Sequence, residues 1–332
     1  MLNQEAQPAN ISDASSPHFS YKYRTLSTSH LEELQRDIDR LKNEGKLSEN
    51  PTYRSYLQDM KFETPEKLPD TESLIIMAIP TRLLLTRFHL HGKMYEVTFP
   101  SNYCSDRLIE GDVQKVVFQQ IVKEPNHELE RTWSVHLKLL AVRSGLGEYG
   151  RNNLCYVEGM GSLHRLWGFF TNCKLEDNWN KIRMMQTCEN CRVCMNSCPN
   201  HCISEERFVI DAGRCVSLYN EIEGEFPDWI SPQAHNSLIG CMMCQSVCPV
   251  NRSALATTRR LEDVTEEETR KILKGEPDQE LLSSLSKKLG NIYPTRSAAS
   301  FQILTRNLRA LLTEKNSRLN ESTCNDGSNG AI

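Results

Sequence analysis

The stretch CENCRVCMNSCP sets Cys188, Cys191, Cys194 and Cys198 at the spacing C-x2-C-x2-C-x3-C-P, and a folded chain has few uses for that pattern. Three thiolates two residues apart wrap one corner of an iron–sulfur cubane, because the intervening peptides curl around it and aim N–H groups at the sulfurs. The fourth, followed by proline, turns away and ligates the other cluster of a two-cluster ferredoxin. A second stretch, GCMMCQSVCPVN, supplies Cys241, Cys244 and Cys248 but lacks a first cysteine. Cys248, before Pro249, is the counterpart of Cys198, and it completes one cluster with Cys188, Cys191 and Cys194.

The other cluster then has Cys198, Cys241 and Cys244 and needs one more thiolate. Cys202 lies in the turn CPNHCIS and would ligate only by crowding that turn. Cys215, in DAGRCVSLYNEI, has room to return, so it is the expected displaced first cysteine of the second motif. Paired C-x2-C motifs often bind zinc. The three-cysteine runs, the x3 step and the proline after both fourth cysteines favour two 4Fe-4S clusters instead. Cys104, Cys155, Cys173, Cys202 and Cys324 remain as free thiols.

The chain has 13 cysteines and no evident secretory signal, which fits a reducing, cytoplasmic setting. No apolar run reaches the roughly 18 residues of a membrane span. A formal net charge of -4 gives no global attraction for nucleic acid or anionic membrane, so a nucleic-acid partner is disfavoured. The 332 residues allow about two domains.

Along the chain, residues 1–20 read as a disordered N-terminus and 21–180 as an α+β domain for cofactor and substrate. Residues 181–255 form the cysteine-rich domain, 256–315 the C-terminal helices, and 316–332 a disordered tail. TSHLEELQRDIDRLKNEG predicts an amphipathic helix with a Ser29–Glu32 capping box. TESLIIMAIP predicts a strand buried on both faces, and LLLTRFHLHGKMYEVTF two strands around a His91-Gly92 turn. Residues 110–124 and 127–143 are expected to be helical, as are VTEEETRKILKG and SAASFQILTRNLRALLTEK.

GLGEYG, Gly145 to Gly150, matches the dinucleotide fingerprint G-x-G-x-x-G, but helix-like residues precede it where that fold needs a strand. The milder expectation is a tight turn near a ligand, with Gly145, Gly147, Gly150, Arg151, Asn152 and Asn153 as candidate cofactor contacts. His136 and His164 read as packed or solvated side chains, and Trp133 and Trp167 as core.

AVRSGLGEYGRNNL, CENCRVCMNSCP, RCVSLYNEI and IGCMMCQSVCPVNR together resemble the epoxyqueuosine reductase family, which is related to corrinoid-dependent reductive dehalogenases. The resemblance spans roughly residues 68–252. It implies a nitroreductase-like mixed sheet with flanking helices that binds cobalamin, beside a ferredoxin-like two-cluster domain. It further implies single-electron delivery from a donor such as a ferredoxin or flavodoxin, and a small-molecule or modified-nucleoside substrate. The family presents an aspartate proton donor twelve residues before the arginine of its glycine segment; here that position is Arg131, which stays charged and donates no proton usefully. Glu128 and Glu130 are the neighbouring acids, and no catalytic residue is assigned. An iron–sulfur reductase is the leading expectation. The alternative is a non-catalytic electron-transfer partner of another enzyme.

Overall fold

Leu74, Ile75, Ile76, Met77 and Ala78 are wholly inaccessible, and alternate residues of this run serve two different cores. The computed structural model describes residues 19–104, 107–205 and 209–325, except for the side chains of 107–109 and 314–325. In chain order, β1 (Lys22–Ser27) leads to α1 (Leu31–Asn43) and α2 (Pro51–Gln58), and then to β2 (Ser73–Pro80). Strands β3 (Leu83–Leu90) and β4 (Lys93–Pro100) precede α3 (Arg107–Val116), β5 (Leu129–Thr132) and α4 (Leu137–Arg143). Two short strands, β6 (Glu148–Tyr149) and β7 (Cys155–Tyr156), lead to β8 (His164–Thr171).

The central sheet has the order β1-β2-β8-β5, and every pairing in it is antiparallel. Side chains alternate across a strand, so Leu74, Ile76 and Ala78 join Leu34 of α1 and Leu139 and Leu140 of α4 on one face. Ile75, Met77 and Ile79 meet Val113 and Val116 of α3, with Trp167 and Phe169 of β8, on the other.

The cysteine-rich segment carries four short helices: α5 (Val193–Asn196), α6 (Val216–Glu221), α7 (Met243–Ser246) and α8 (Arg252–Leu255). Strand β9 (Thr258–Arg260) follows, then α9 (Glu266–Lys274), α10 (Gln279–Lys288) and α11 (Ala298–Asn325). β3 pairs with β4 through a turn whose His91 and Gly92 have φ of 51° and 71°, the left-handed pair that tight hairpins need. β9 adds to β3 in parallel. Phe88 and Phe99 from this second sheet pack with Leu238, Ile239 and the apolar faces of α9, α10 and α11.

Several expectations change. Residues 129–132 form β5 and the helix starts only at Leu137, because Leu129 to Thr132 pair along the edge of β8. Ser27, not Ser29, is the capping side chain before α1, accepting from the Ser29 N–H. The domain divisions near 180 and 255 do not divide the cores: the β3–β4 hairpin buries its side chains with Leu238, Ile239 and the C-terminal helices, not with the central sheet. α11 runs to Asn325, past the expected end at 315, while 326–332 and residues 1–18 lie outside the described residues.

Candidate functional site

The two cysteine motifs fold as the same turn. Asn196 and Ser246 donate backbone N–H groups to Arg192 and Met242 carbonyls at 2.9 and 2.8 Å, and Cys198 and Cys248 donate to Met195 and Gln245, both at 3.3 Å. This repeat aims Cys248 at the first motif. Burial, together with the neighbouring thiols of Cys188, Cys248 and Cys191, pushes the Cys194 thiol up to about 11. Around this first group of four, the Tyr156 hydroxyl donates to Cys248 Sγ at 3.4 Å, and Asn152 Nδ2 donates to the Tyr156 oxygen at 3.0 Å. Arg151 donates to the carbonyls of Cys188 and Cys191 at 2.6 and 3.0 Å.

Cys198, Cys215, Cys241 and Cys244 are the thiols expected to serve the second cluster. Burial pushes the Cys241 thiol up to about 11, with Cys215 and Cys198 as charged neighbours. Burial also raises Cys244, with Cys241, Cys215 and Cys194 as charged neighbours. Asn236 Nδ2 donates to Cys241 Sγ at 3.2 Å. Cys202, only 5% exposed, sits within this group with its Sγ 3.2 Å from Cys198 Sγ. Its hydrogen bonds lower both Cys198 and Cys215. Soft thiolates with N–H and O–H donors aimed at them are the kind of ligand that 4Fe-4S clusters take.

The glycine segment follows α4, whose N-terminus is capped by His136 Nδ1 accepting from the Leu139 N–H at 3.1 Å. Burial first, then Lys138, pushes His136 down to about 3. Gly145 has φ of 73° and ends the helix. A Cβ on Gly147 would lie 2.6 Å from Cys155 Sγ and 2.7 Å from the Tyr156 carbonyl, and one on Gly150 would lie 2.8 Å from Asn152 Oδ1. That space is filled by the chain's own β7. Asn153, at φ of 58°, accepts from the part-buried Lys138 Nζ at 3.0 Å. The structure thus sets Gly147, Gly150, Arg151 and Asn152 against Tyr156 and the first cysteine group, Asn153 against Lys138, and Gly145 against Asn180. His164 is buried and donates or accepts at the Gly161 carbonyl.

Arg131 lies between two indoles, its guanidinium carbon 3.3 Å from the ring centre of Trp133 and 4.0 Å from that of Trp167, and it pairs with Glu110. Trp133, expected in the core, is 71% exposed because it serves as the outer layer of this stack; Trp167 is core at 2%. Trp167 also lines a cleft of about 1250 Å³ between the ends of β2 and β8 and helix α10. Arg82, Arg165, Arg259, Lys287 and Arg296 line it, and no acidic side chain among the described residues does. None of the six residues of the glycine segment lines this cleft.

Sequence reading missed Tyr156 and Asn236 as sulfur-bonding donors, and it missed the cleft. The cleft's cations come from separate parts of the chain and form no local motif.

The 4Fe-4S double cluster binding domain matches residues 187–251. The epoxyqueuosine reductase of Shewanella oneidensis is 36% identical over 119 residues, 36% of this chain and 29% of that one. The Bacillus subtilis epoxyqueuosine reductase is 27% identical over 231 residues, 65% of this chain and 58% of its own length. The chain therefore spans between about three tenths and three fifths of these curated relatives. The structure of epoxyqueuosine reductase from Streptococcus thermophilus superposes with a TM-score of 0.63 at 18% identity, covering 93% of this chain and 82% of that one. Another, solved with an epoxyqueuosine-modified tRNA stem loop, gives 0.62 at 17% identity over 91% and 78% of the two chains. The expectation from net charge against nucleic acid does not hold for that relative. Over part of their length the chain is similar in sequence to epoxyqueuosine reductases, its fold is similar to that of their solved structures, and its residues 187–251 match a 4Fe-4S double cluster binding domain.

Proposed function

We propose that the protein is an iron–sulfur reductase, with Cys188, Cys191, Cys194 and Cys248 holding one 4Fe-4S cluster and Cys198, Cys215, Cys241 and Cys244 the other. The observation that supports this reading is that Cys248 of the second motif is a charged neighbour of Cys194 in the first, together with Cys188 and Cys191, while Cys198 of the first motif and Cys215 are charged neighbours of Cys241 in the second. When bound, the clusters supply one-electron chemistry at potentials set by hydrogen bonds to sulfur and by burial. The chain's residues tune that environment: Tyr156 and Asn236 donate to ligand sulfurs, and Arg151 ties the first loop down through its carbonyls. A ferredoxin or flavodoxin is the proposed donor, in the cytoplasm; no helix among the described residues is long and apolar enough to cross a membrane.

The substrate site of this reading is the cationic cleft. Tyr103 links it to the second cysteine group: its carbonyl accepts from Arg296 at 3.4 Å, and its hydroxyl donates to Glu221, near Cys215. The residues expected as cofactor contacts pack against Cys155, Tyr156 and Cys188–Cys191 and do not line the cleft, so this reading assigns them no corrinoid. The nitroreductase-like description of the central sheet goes with that cofactor and rests on the same resemblance. Arg131, clamped between indoles where the family places its aspartate, supports a substrate other than epoxyqueuosine. It equally favours the second reading, an electron-transfer partner with no substrate of its own.

Anaerobic reconstitution with iron, sulfide and hydroxocobalamin tests this. The expected product holds about eight irons, the content of two cubanes, gives reduced-cluster paramagnetic resonance signals, and retains no corrinoid. About four irons, or zinc in their place, overturns the two-cluster reading, and stoichiometric corrinoid overturns the cofactor assignment.

A further inference from the structure

The cleft's lining carries an unusual imbalance. Arg82 comes from the β2–β3 connection, Arg259 from β9 where it stands opposite Leu84 of β3, and Lys287 from α10. Among the described residues none of these three side chains has an ion-pair partner. Arg165 and Arg296 hold the rim, donating to the carbonyls of Cys104 at 2.9 Å and Asn291 at 3.2 Å. α10 turns Gln279, Ser283, Ser286 and Lys287 into the cleft, one helical face, while Leu281 and Leu285 go to the core. Several like charges around one concave space, with low-dielectric walls behind them, focus a positive potential there even though the chain as a whole is acidic.

A second observation points into the same space. Trp167 is 2% exposed and its indole N–H has no partner, and the Thr81 hydroxyl is also buried without one. Both residues line the cleft. Buried donors are almost always satisfied, and a group left over at a cavity wall marks a place for an acceptor. The floor is otherwise apolar, formed by Ile79, Leu84, Leu261 and Leu282.

We propose that this cleft binds a small phosphate-bearing organic molecule, of mononucleotide size, as the substrate or effector of the iron–sulfur reductase. Arginine's planar fork matches phosphate oxygens in a way a point charge does not, and the apolar floor gives a ring a face to lie on. The cations stand on several walls around a volume. A backbone-tracking groove for single-stranded nucleic acid would lay them out in a line. This inference deepens the proposed function and rests on it for the word substrate, but the binding claim stands on the cleft alone.

The test is isothermal titration calorimetry on the anaerobically loaded full-length protein with three probes: inorganic pyrophosphate, adenosine diphosphate and an RNA stem loop. Adenosine diphosphate is expected to bind more tightly than pyrophosphate, and Arg259→Glu and Lys287→Ala each to weaken it tenfold or more with the iron content unchanged. Absence of binding by both small probes, binding by the RNA alone, or affinity indifferent to both substitutions would each overturn the proposal. Iron content and cluster reduction, measured on the same samples, fail separately if the redox reading is the one at fault.

Discussion

The Tyr156 hydroxyl donates to the sulfur of Cys248 at 3.4 Å, joining the strand after the glycine segment to a cysteine 92 residues further along the chain. Hydrogen bonds to ligand sulfur stabilise the more negative, reduced cluster and so raise its potential. Tyr156→Phe is therefore expected to retain both clusters while moving the first one's potential to a more negative value. A redox titration followed by paramagnetic resonance reads this directly, and an unchanged potential would count against Cys248 as a ligand of that cluster.

Ligand assignment in the second group has a simple count. Cys215→Ala should leave about four irons where the unmodified protein holds about eight. Cys202→Ala should leave the full number, because Cys202 is expected only as a hydrogen-bonding neighbour of Cys198 and Cys215 and not as a ligand. Iron analysis after anaerobic reconstitution settles both, and a second cluster that survives without Cys215 would reassign its fourth thiolate.

Arg143 Nε donates to the buried carboxylate of Asp37 at 2.7 Å, tying α4 to α1. Removing the guanidinium leaves the carboxylate only the exposed Arg40, 3.3 Å away, so the cost falls toward the lower end of the about 3–5 kcal/mol of a broken buried pair. Arg143→Leu should be destabilised by that order, and Asp37→Leu combined with Arg143→Leu by much less. Denaturant unfolding of the two variants against the unmodified protein checks the difference.

Burial holds His136 down to about 3 and His164 down to about 4. An unfolded imidazole takes its proton near 6.5. Between those values the unfolded chain binds more protons than the folded one, so their contribution to stability is complete above pH 6.5 and is lost as pH falls toward 4. Across that window each histidine removes about 1.4 kcal/mol per pH unit. Thermal midpoints should fall between pH 7 and pH 5. His136→Asn, which keeps an oxygen to cap α4 but cannot be protonated, should fall less.

How much was legible differs from element to element. β2, the β3–β4 hairpin and α9 follow from local pattern: a continuous apolar run, a His-Gly turn, and a Thr265–Glu268 capping box. β1, β5 and β8 escaped because their pairing partners lie far off in sequence, and β5 in particular is a strand only through its edge contact with β8. The G-x-G-x-x-G match lacks the preceding strand a dinucleotide site needs, since α4 is a helix; the glycines make room for Cys155 and Tyr156 instead.

The iron–sulfur chemistry was written in the sequence because cluster ligation is a local property: three thiolates on one curl of backbone fix their own geometry, and a proline marks the one that leaves. What the sequence could not hold was convergence. Cys202 beside Cys198, Tyr156 on Cys248, Arg131 between Trp133 and Trp167, and Arg82, Arg259 and Lys287 around one cleft are meetings made by the packing of two sheets and the C-terminal helices. Side-chain periodicity says which residues are buried, but only the folded backbone decides which of them face one another.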